Sequence, residues 1–361
     1  VRHSLDPAKF YGGLWSGHFY PALRELGCEV VESQTDLLPA SAFMGKAGGF
    51  SPAELAIRGE ITQRILDELA SAHRERRIDL FLSYFYNAHF DPAGFDTIER
   101  WGIPAVNFYC NSVYQFDLVK EIARRVRWSW HAEKPARELY LRAGARPVWV
   151  QMGADPAVCR PVDAGARLRR ACFVGQRYAD RERWLANLAR VGIPFDVYGS
   201  GWGGDGPSPP DPGGSPAPAV GRMAAYRAEV LRNLSTEGPV LGVLRSLRQL
   251  AHARGTRRCL EQVRPHARGR AADLSETFAR YEVVLNFSNV WADGRPGSRL
   301  IPHVRLRDFE APMSGACYLT GHTDEIAEFY ELGTEIDTYR SSGELADKIR
   351  YYLENPRAAE S

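Results

Sequence analysis

The feature that most limits what this chain can become is a repeated unit. A short apolar run is followed by a longer stretch with apolar residues three and four apart, and then by another apolar run. Pro52 to about Arg76 has the helical spacing at Leu55, Ile61, Ile65, Leu66 and Leu69. It leads into Asp79–Tyr84, mostly apolar, as a strand covered on both faces would be. A helix around Phe95–Trp101 and a strand over Ile103–Phe108 repeat the unit, and Arg125–Trp130, a helix over Pro135–Ala143 and Val148–Val150 add another. The pattern restarts with a strand at Ala171–Gly175, a helix over Asp180–Val191 and a strand at Phe195–Gly199. It resumes with a strand at Glu282–Phe287, a helix from about Leu306, a strand at Cys317–Thr320 and a helix over about Gly343–Leu353. Nearer the start, Leu14–Leu26 predicts a helix closed by Gly27, followed by a strand at Glu29–Val31. Strands alternating with helices predict an α/β protein with parallel sheets.

At 361 residues the chain exceeds what one hydrophobic core usually serves, so two domains are expected. Pro156, Pro161 and the turn Asp163-Ala164-Gly165 break the periodicity. They divide the chain into an N-terminal Rossmann-like domain, 1–155, and a second one, 156–361. Two such lobes place a ligand cleft between their strand C-termini.

The charge balance, 46 basic against 44 acidic side chains, gives no reason to expect a nucleic-acid partner. No run of about 18 uncharged apolar residues could span a bilayer, and no charged-then-apolar signal segment opens the chain. Val1 is not a methionine, so a few residues are expected upstream. Six scattered cysteines without a C-x-x-C pair argue against a zinc ribbon or disulfide scaffold and suit a reducing cytoplasm. Only five of the 46 basic residues are lysines, a bias associated with GC-rich bacterial genomes.

An insertion interrupts the second domain over 203–270. Gly203–Ala219 is rich in Pro, Gly and Ser and reads as a flexible or polyproline-like loop. Residues 221–270 then hold 11 arginines against three glutamates. Within them, Pro239–Val263 sets Val240, Leu241, Val243, Leu244, Leu247 and Leu250 near Arg245, Arg248, Arg254, Arg257 and Arg258. This segment is either a basic amphipathic helix on an anionic membrane or a phosphate-rich acceptor, peripheral at the inner face of the membrane, or a helical insertion packed on its domain with a solvated arginine face.

There is no H-E-x-x-H, G-x-S-x-G, Walker loop or G-x-G-x-x-G after the first strand, which removes the main support for metalloprotease, serine hydrolase, P-loop and dinucleotide chemistries. No D-x-D pair is present to hold a metal. The remaining candidates are glycine turns and arginines at strand-to-helix junctions. Gly12-Gly13-Leu14-Trp15-Ser16-Gly17-His18 precedes a helix, where glycines admit a close ligand and helix amides attract anionic oxygens. Phe173–Arg181 repeats strand, glycine turn (Gly175) and helix, with Arg177, Arg181 and Arg183 suited to fork onto a diphosphate. Tyr198-Gly199-Ser200-Gly201-Trp202 offers small residues and an aromatic face for a nucleobase, or is a plain turn. In His303–Gly315, Glu310 sits early in a helix, where a carboxylate can accept both hydroxyls of a ribose, with Arg305 or Arg307 to offset phosphate charge.

The blocks L-R-D-F-E-A-P-M-S-G-A-C-Y-L-T, D-E-I-A-E-F-Y-E-L-G-T-E-I and Y-R-S-S-G-E-L-A-D-K-I-R-Y-Y-L-E-N-P resemble the C-terminal signature of CgeB-like (spore-maturation-type) glycosyltransferases of the two-domain fold-B (GT-B) group. F-V-G-Q-R-Y-A-D-R at Phe173–Arg181, L-N-F-S at Leu285–Ser288 and the linker G-A-D-P-A-V-C-R-P at Gly153–Pro161 add to the likeness. The opening G-G-L-W-S-G-H-F-Y-P-A-L-R-E-L-G-C-E-V is similar to the first loop and helix of retaining fold-B transferases.

The resemblance implies a hexosyltransferase-type transfer from a nucleotide-diphosphate sugar to a hydroxyl acceptor, retaining and independent of metal or other cofactor. Glu310 would hold the ribose; Gly175 and Arg181, with Arg307 nearby, would face the diphosphate; Asn286 and Ser288 would line the donor end. Gly12, Gly13, Arg177, Gly199, His303, Arg305 and Gly315 complete the expected donor-side set. Pro302, followed by His303, stands where the retaining family has the first of its paired glutamates, eight residues before Glu310. An inverting course would require a base such as His18 or His89. A non-hydrolysing nucleotide-sugar epimerase and a nucleotide-sugar-binding protein without turnover are the alternative readings.

Overall fold

The structure, a computed structural model, describes residues 19–203 and 222–360. The chain passes from one compact unit to another between Met152 and Gly153. Each unit is an α/β layer structure around a wholly parallel main sheet.

The first unit contains strands β1 (Phe81–Ser83), β2 (Ala105–Tyr109), β3 (Trp128–His131) and β4 (Pro147–Trp149), hydrogen-bonded in that order. Its helices are α1 (Tyr20–Glu25), α2 (Pro52–Glu75), α3 (Ala93–Arg100), α4 (Ser112–Gln115), α5 (Lys120–Arg125) and α6 (Arg137–Arg142). A capping box starts α2: the Ser51 hydroxyl accepts the Glu54 amide while the Glu54 carboxylate accepts the Ser51 amide. Ile61, Ile65, Leu66 and Leu69 then bury one stripe of that helix. They meet Phe85, Phe90 and Phe95, the first two stacked with centroids 4.9 Å apart. Each such ring contributes roughly 1.5–3 kcal/mol by leaving water.

The strand expected at Glu29–Val31 does not form; the segment is outside the sheet. Just beyond it the chain is tied to α2 instead. The Gln34 amide, the Ser33 hydroxyl and the Thr35 hydroxyl all donate to the Glu68 carboxylate, at 3.0, 2.5 and 2.9 Å. The part of the opening helix that is described is α1.

The second unit has β5 (Leu168–Val174), β6 (Phe195–Tyr198), β7 (Tyr281–Asn286), β10 (Tyr318–Gly321) and β11 (Asp337–Tyr339) in the order β11-β10-β7-β5-β6. A separate antiparallel pair, β8 (Asn289–Trp291) and β9 (Leu300–Pro302), comes after β7. The helices are α7 (Arg181–Arg190), α8 (Arg222–Val263), α9 (Leu274–Ala279), α10 (Arg307–Met313), α11 (Ser342–Glu354) and α12 (Pro356–Glu360). Alternate residues of β5 face opposite layers: Ala171 and Phe173 pack with Leu185, Leu345 and Ile349, while Cys172 and Val174 pack with Phe278, Tyr318 and Ala311. This double covering is why the strands read as continuous apolar runs.

The insertion is a helical hairpin. Helix α8 breaks at Gly238 (φ 80°), directly before Pro239, and its two arms run side by side. The Asn233 side-chain amide donates to the Ser246 hydroxyl at 3.1 Å and to Gln249 at 2.9 Å. A Cβ on Gly242 would lie 2.6 Å from the Asn233 carbonyl oxygen, so glycine permits the arms to touch. Most of the expected Pro/Gly-rich loop lies outside the described residues.

Candidate functional site

The strand order of the second unit decides where a site can sit. From β5 the chain moves to β6 on one side and then returns to β7 on the other, so the connections part between β5 and β7. In an open parallel sheet this divergence leaves a crevice beyond the strand C-termini. Gly175 comes directly after β5 and Ser288 lies just past β7, one on each side of that point.

The two glycine turns are packed onto each other. The Gly175 amide donates to the Tyr198 carbonyl at 2.9 Å, and a Cβ on Gly199 (φ 125°) would lie 2.4 Å from the Gly175 carbonyl oxygen. The Trp202 indole N–H donates to that same carbonyl at 2.8 Å, and its ring is fully buried against Phe173. Of the two readings of Tyr198–Trp202, nucleobase platform or plain turn, this packing fits the turn, a joint that fixes the Gly175 loop. The Arg177 amide, donating to the Ser200 carbonyl at 3.0 Å, continues the joint.

Arg181 opens α7 and is only 6% exposed. It donates to the Gln176 carbonyl at 2.7 Å and lies over the Phe173 ring, 5.2 Å from its centroid. No carboxylate oxygen contacts it among the described residues. Burial, and after it the charge of Arg305, pull its guanidinium down to about 9. Arg305 donates to the Asn289 carbonyl at 3.2 Å and faces the Tyr178 ring, also without a carboxylate contact among the described residues. Asp180, the nearest acidic neighbour in the loop, spends one oxygen on Trp184 and Asn289, both at 2.9 Å. Two cations thus lie near enough at the switch point for the charge of Arg305 to act on Arg181, only partly offset by Asp180, a setting that suits a bound anion.

Arg307 is committed differently. It pairs with Glu310 at 2.7 Å and lies over the Phe278 ring. Glu310 is 4% exposed, so any ribose reaching it must compete with Arg307 for the carboxylate. The Cys159 thiol, pushed up to about 11 by burial and then by Glu310, marks how near the linker runs.

Asp308 organises the site, although nothing in its spacing singles it out. Its carboxylate accepts from Asn286 at 3.0 Å, Tyr318 at 2.9 Å, Thr320 at 2.7 Å and the Arg305 amide at 2.7 Å. These bonds join β7, β10 and α10 and fix the start of the segment carrying Arg305, Arg307 and Glu310. Burial raises its pKa against the pull of these donors. The only signal in the sequence is an acid in the first turn of a helix, between Arg307 and Phe309.

Several residues expected on the donor side make internal hydrogen bonds. Asn286, expected at the donor end, is turned inward by Asp308 and Thr320 and is 2% exposed. Ser288 bonds to the Thr320 hydroxyl and the Gly321 carbonyl, both at 3.1 Å. Gly315 (φ 73°) closes α10, its amide donating to the Pro312 carbonyl at 2.9 Å. Pro302 ends β9 opposite Asn289, and burial holds the pKa of the adjacent His303 well below the usual imidazole range. His18, Gly12 and Gly13 lie outside the described residues.

In the first unit His89 is 1% exposed, with its Nδ1 facing the Tyr86 amide at 3.3 Å, so it is a buried brace rather than an open base. Past the ends of β1, β2 and β3 stand Tyr84, Cys110 and Glu133. The Tyr84 hydroxyl and the Cys110 thiol share a hydrogen bond of 3.3 Å, and Glu133 accepts the Val113 amide at 2.8 Å. Sequence reasoning missed this cluster because single aromatic residues have no spacing signature. A cavity of about 730 Å³ lies between Gly27–Ser33, α2 and β1, with Tyr84 in its lining, and none of the expected site residues among the described ones lines it.

With that geometry in place, the sequence matches the glycosyl transferase-like family over residues 176–361, just over half of its length. The chain belongs to that family. The match spans the Gly175 joint's downstream half, Arg181, Arg305 and Glu310. No curated protein matches the chain. Similar solved structures include Anabaena Alr3699/HepE in complex with UDP and glucose, at 12% identity over 95% of this chain and 81% of that one (TM-score 0.49). A glycosyltransferase from Rickettsia africae shares 9% identity over 94% and 79% (TM-score 0.47). AviGT4, a glycosyltransferase of avilamycin A biosynthesis, shares 13% over 81% and 72% (TM-score 0.43). The family assignment rests on the sequence match, and the α/β architecture on the sheets themselves.

Proposed function

We propose that this protein moves a sugar from a nucleotide-diphosphate donor to a hydroxyl acceptor, with retention and without a metal. The observation that supports this most is the Arg181–Arg305 pair at the β5/β7 switch point, Arg181 buried and Arg305 half-buried, neither with a carboxylate contact among the described residues. A diphosphate seated there accepts hydrogen bonds from both guanidiniums and removes their mutual repulsion. As the glycosidic bond breaks, negative charge grows on the leaving diphosphate. Pre-placed donors of this kind are worth about 3–4 kcal/mol each in the transition state. Glu310 accepts the ribose hydroxyls, and Arg307, released from part of its ion pair, turns its charge to the phosphates. The retaining course rests on the likeness of the opening glycine loop, in which the departing phosphate can itself take the acceptor proton.

The CgeB-like grouping rests on the motif block from Leu306 onward, and the first unit is read as the acceptor half. A bacterial cytoplasmic setting suits the arginine bias and the six cysteines outside any disulfide.

The test is calorimetric titration with UDP, GDP, ADP, TDP and CDP, followed by donor turnover with the best binder's sugar. Glu310→Ala should weaken the preferred diphosphate by about 1–3 kcal/mol and abolish discrimination against its 2′-deoxy form. Unchanged affinity and unchanged deoxy discrimination would remove Glu310 from the ribose. Binding without turnover on any acceptor, or product formed from donor alone, would replace transfer by the binding or epimerase reading.

A further inference from the structure

We infer that the α8 hairpin docks the protein on an anionic phospholipid surface. This concerns a region the sugar-transfer reading does not use, and it stands independently of that reading. The second arm of α8 has two unlike faces. Gly242, Ser246, Thr256, Cys259 and Val263 are buried at helical spacing, with the Thr256 hydroxyl donating to Glu182 of α7 at 2.8 Å. That face is covered, by the first arm at Gly242 and Ser246 and by the domain at Thr256 and beyond. The opposite face is not covered: Val240 is 71% and Leu241 61% exposed, and Val243, Leu244 and Leu247 are exposed beside them. From the first arm, Leu231 adds another exposed apolar side chain. Isolated exposed leucines are ordinary, but five within eight residues next to a hairpin turn form a contiguous apolar tip.

The charges beyond the tip identify the occupant. Arg248, Arg254, Arg257, Arg258 and Arg264 are all exposed, and among the described residues only Arg257 has a carboxylate contact, Glu261 at 3.6 Å. An apolar tip bordered by five exposed arginines, four of them without a carboxylate contact among the described residues, matches an interface where acyl chains lie beneath anionic headgroups. A second copy of the chain would bring the same cations against these and would meet like charge. No helix among the described residues is long and apolar enough to cross a membrane, so the contact is a surface one.

The hairpin is also fixed to the rim of the candidate site. Arg245 pairs with Asp293 in the β8–β9 loop, and His252 packs edge-on against Trp291 of β8. The docking surface is thereby tied to β8, whose Asn289 carbonyl accepts from Arg305.

The experiment is sedimentation of the full chain with vesicles of phosphatidylcholine alone or with one-third phosphatidylglycerol, at low and physiological salt. Binding should appear only with phosphatidylglycerol. Each interfacial arginine is worth about fivefold in affinity, from roughly 1 kcal/mol apiece, so Arg248→Glu with Arg258→Glu should reduce binding by at least about 25-fold. Leu241→Asp with Leu244→Asp should reduce it comparably, with thermal midpoint and nucleotide binding unchanged because those side chains face away from the core. Equal binding to both vesicle types, no binding to either, or retention by both double variants would overturn the proposal. So would a dimer, seen by light scattering, that the leucine variants dissolve.

Discussion

Replacing Arg181 by Met separates a ligand-binding cation from a structural one, because the two roles predict opposite changes. In the unliganded protein, the arginine gives one hydrogen bond to the carbonyl of exposed Gln176, which water can take over, and a stacked contact on Phe173. Together these are worth about 2–3 kcal/mol. Against them stands the desolvation of a buried charge with no carboxylate contact, several kcal/mol even after relaxation. Met fills similar volume without the charge. Unfolding free energy should therefore stay level or rise by about 1–2 kcal/mol.

The pH dependence has a definite sign. A cationic group drawn down to about 9 in the folded chain, from the 12.5 usual for a guanidinium, leaves the unfolded chain holding more protons as pH rises past 9. Its destabilising effect is complete below that pH and is relieved above it. Urea midpoints of the wild type should accordingly gain on those of the variant as pH rises from about 9. Diphosphate affinity should fall by about 1.5–3 kcal/mol, the usual value of a hydrogen bond to a charged group. Calorimetry and urea unfolding of both proteins measure the two sides. A variant that loses more than about 2 kcal/mol of stability and keeps its diphosphate affinity would refute the reasoning.

Asp308→Ala leaves four donors around an empty position and should cost about 3–5 kcal/mol in urea unfolding, whereas a loss under about 1 kcal/mol would show that these donors find other partners. Gly199→Ala places a methyl group 2.4 Å from the Gly175 carbonyl at an unfavourable φ. A cost of about 3 kcal/mol should lower the melting temperature by roughly 6–12 °C, with weaker diphosphate binding because the Gly175 loop must move. An unchanged melting temperature would dissolve the proposed joint.

Local spacing was enough to place most of the elements and to set their class. The runs Ala171–Gly175 and Glu282–Phe287 read as strands covered on both faces, and the helix expected over about Gly343–Leu353 carries the buried stripe Leu345, Ala346 and Ile349. Both signals are local, since burial imposes period 2 or period 3.6 on neighbouring residues. Glu29–Val31 failed for the matching reason: a short β-branched run says nothing of whether a neighbouring strand edge will receive it, and the residues just after it instead bond to Glu68, 33–35 positions on. Choosing among the polar residues of the site required the folded chain. Asn286, Ser288, Arg305, Arg307 and Asp308 look alike in sequence as polar groups near strand ends. Which of them faces the crevice and which is spent on internal hydrogen bonds depends on partners brought in from β10 and from the α10 segment, and those long-range pairings leave no mark on local spacing. The same holds for α8, where the sequence carried apolar and cationic residues together, and packing of one face on α7 decided which side remained outward.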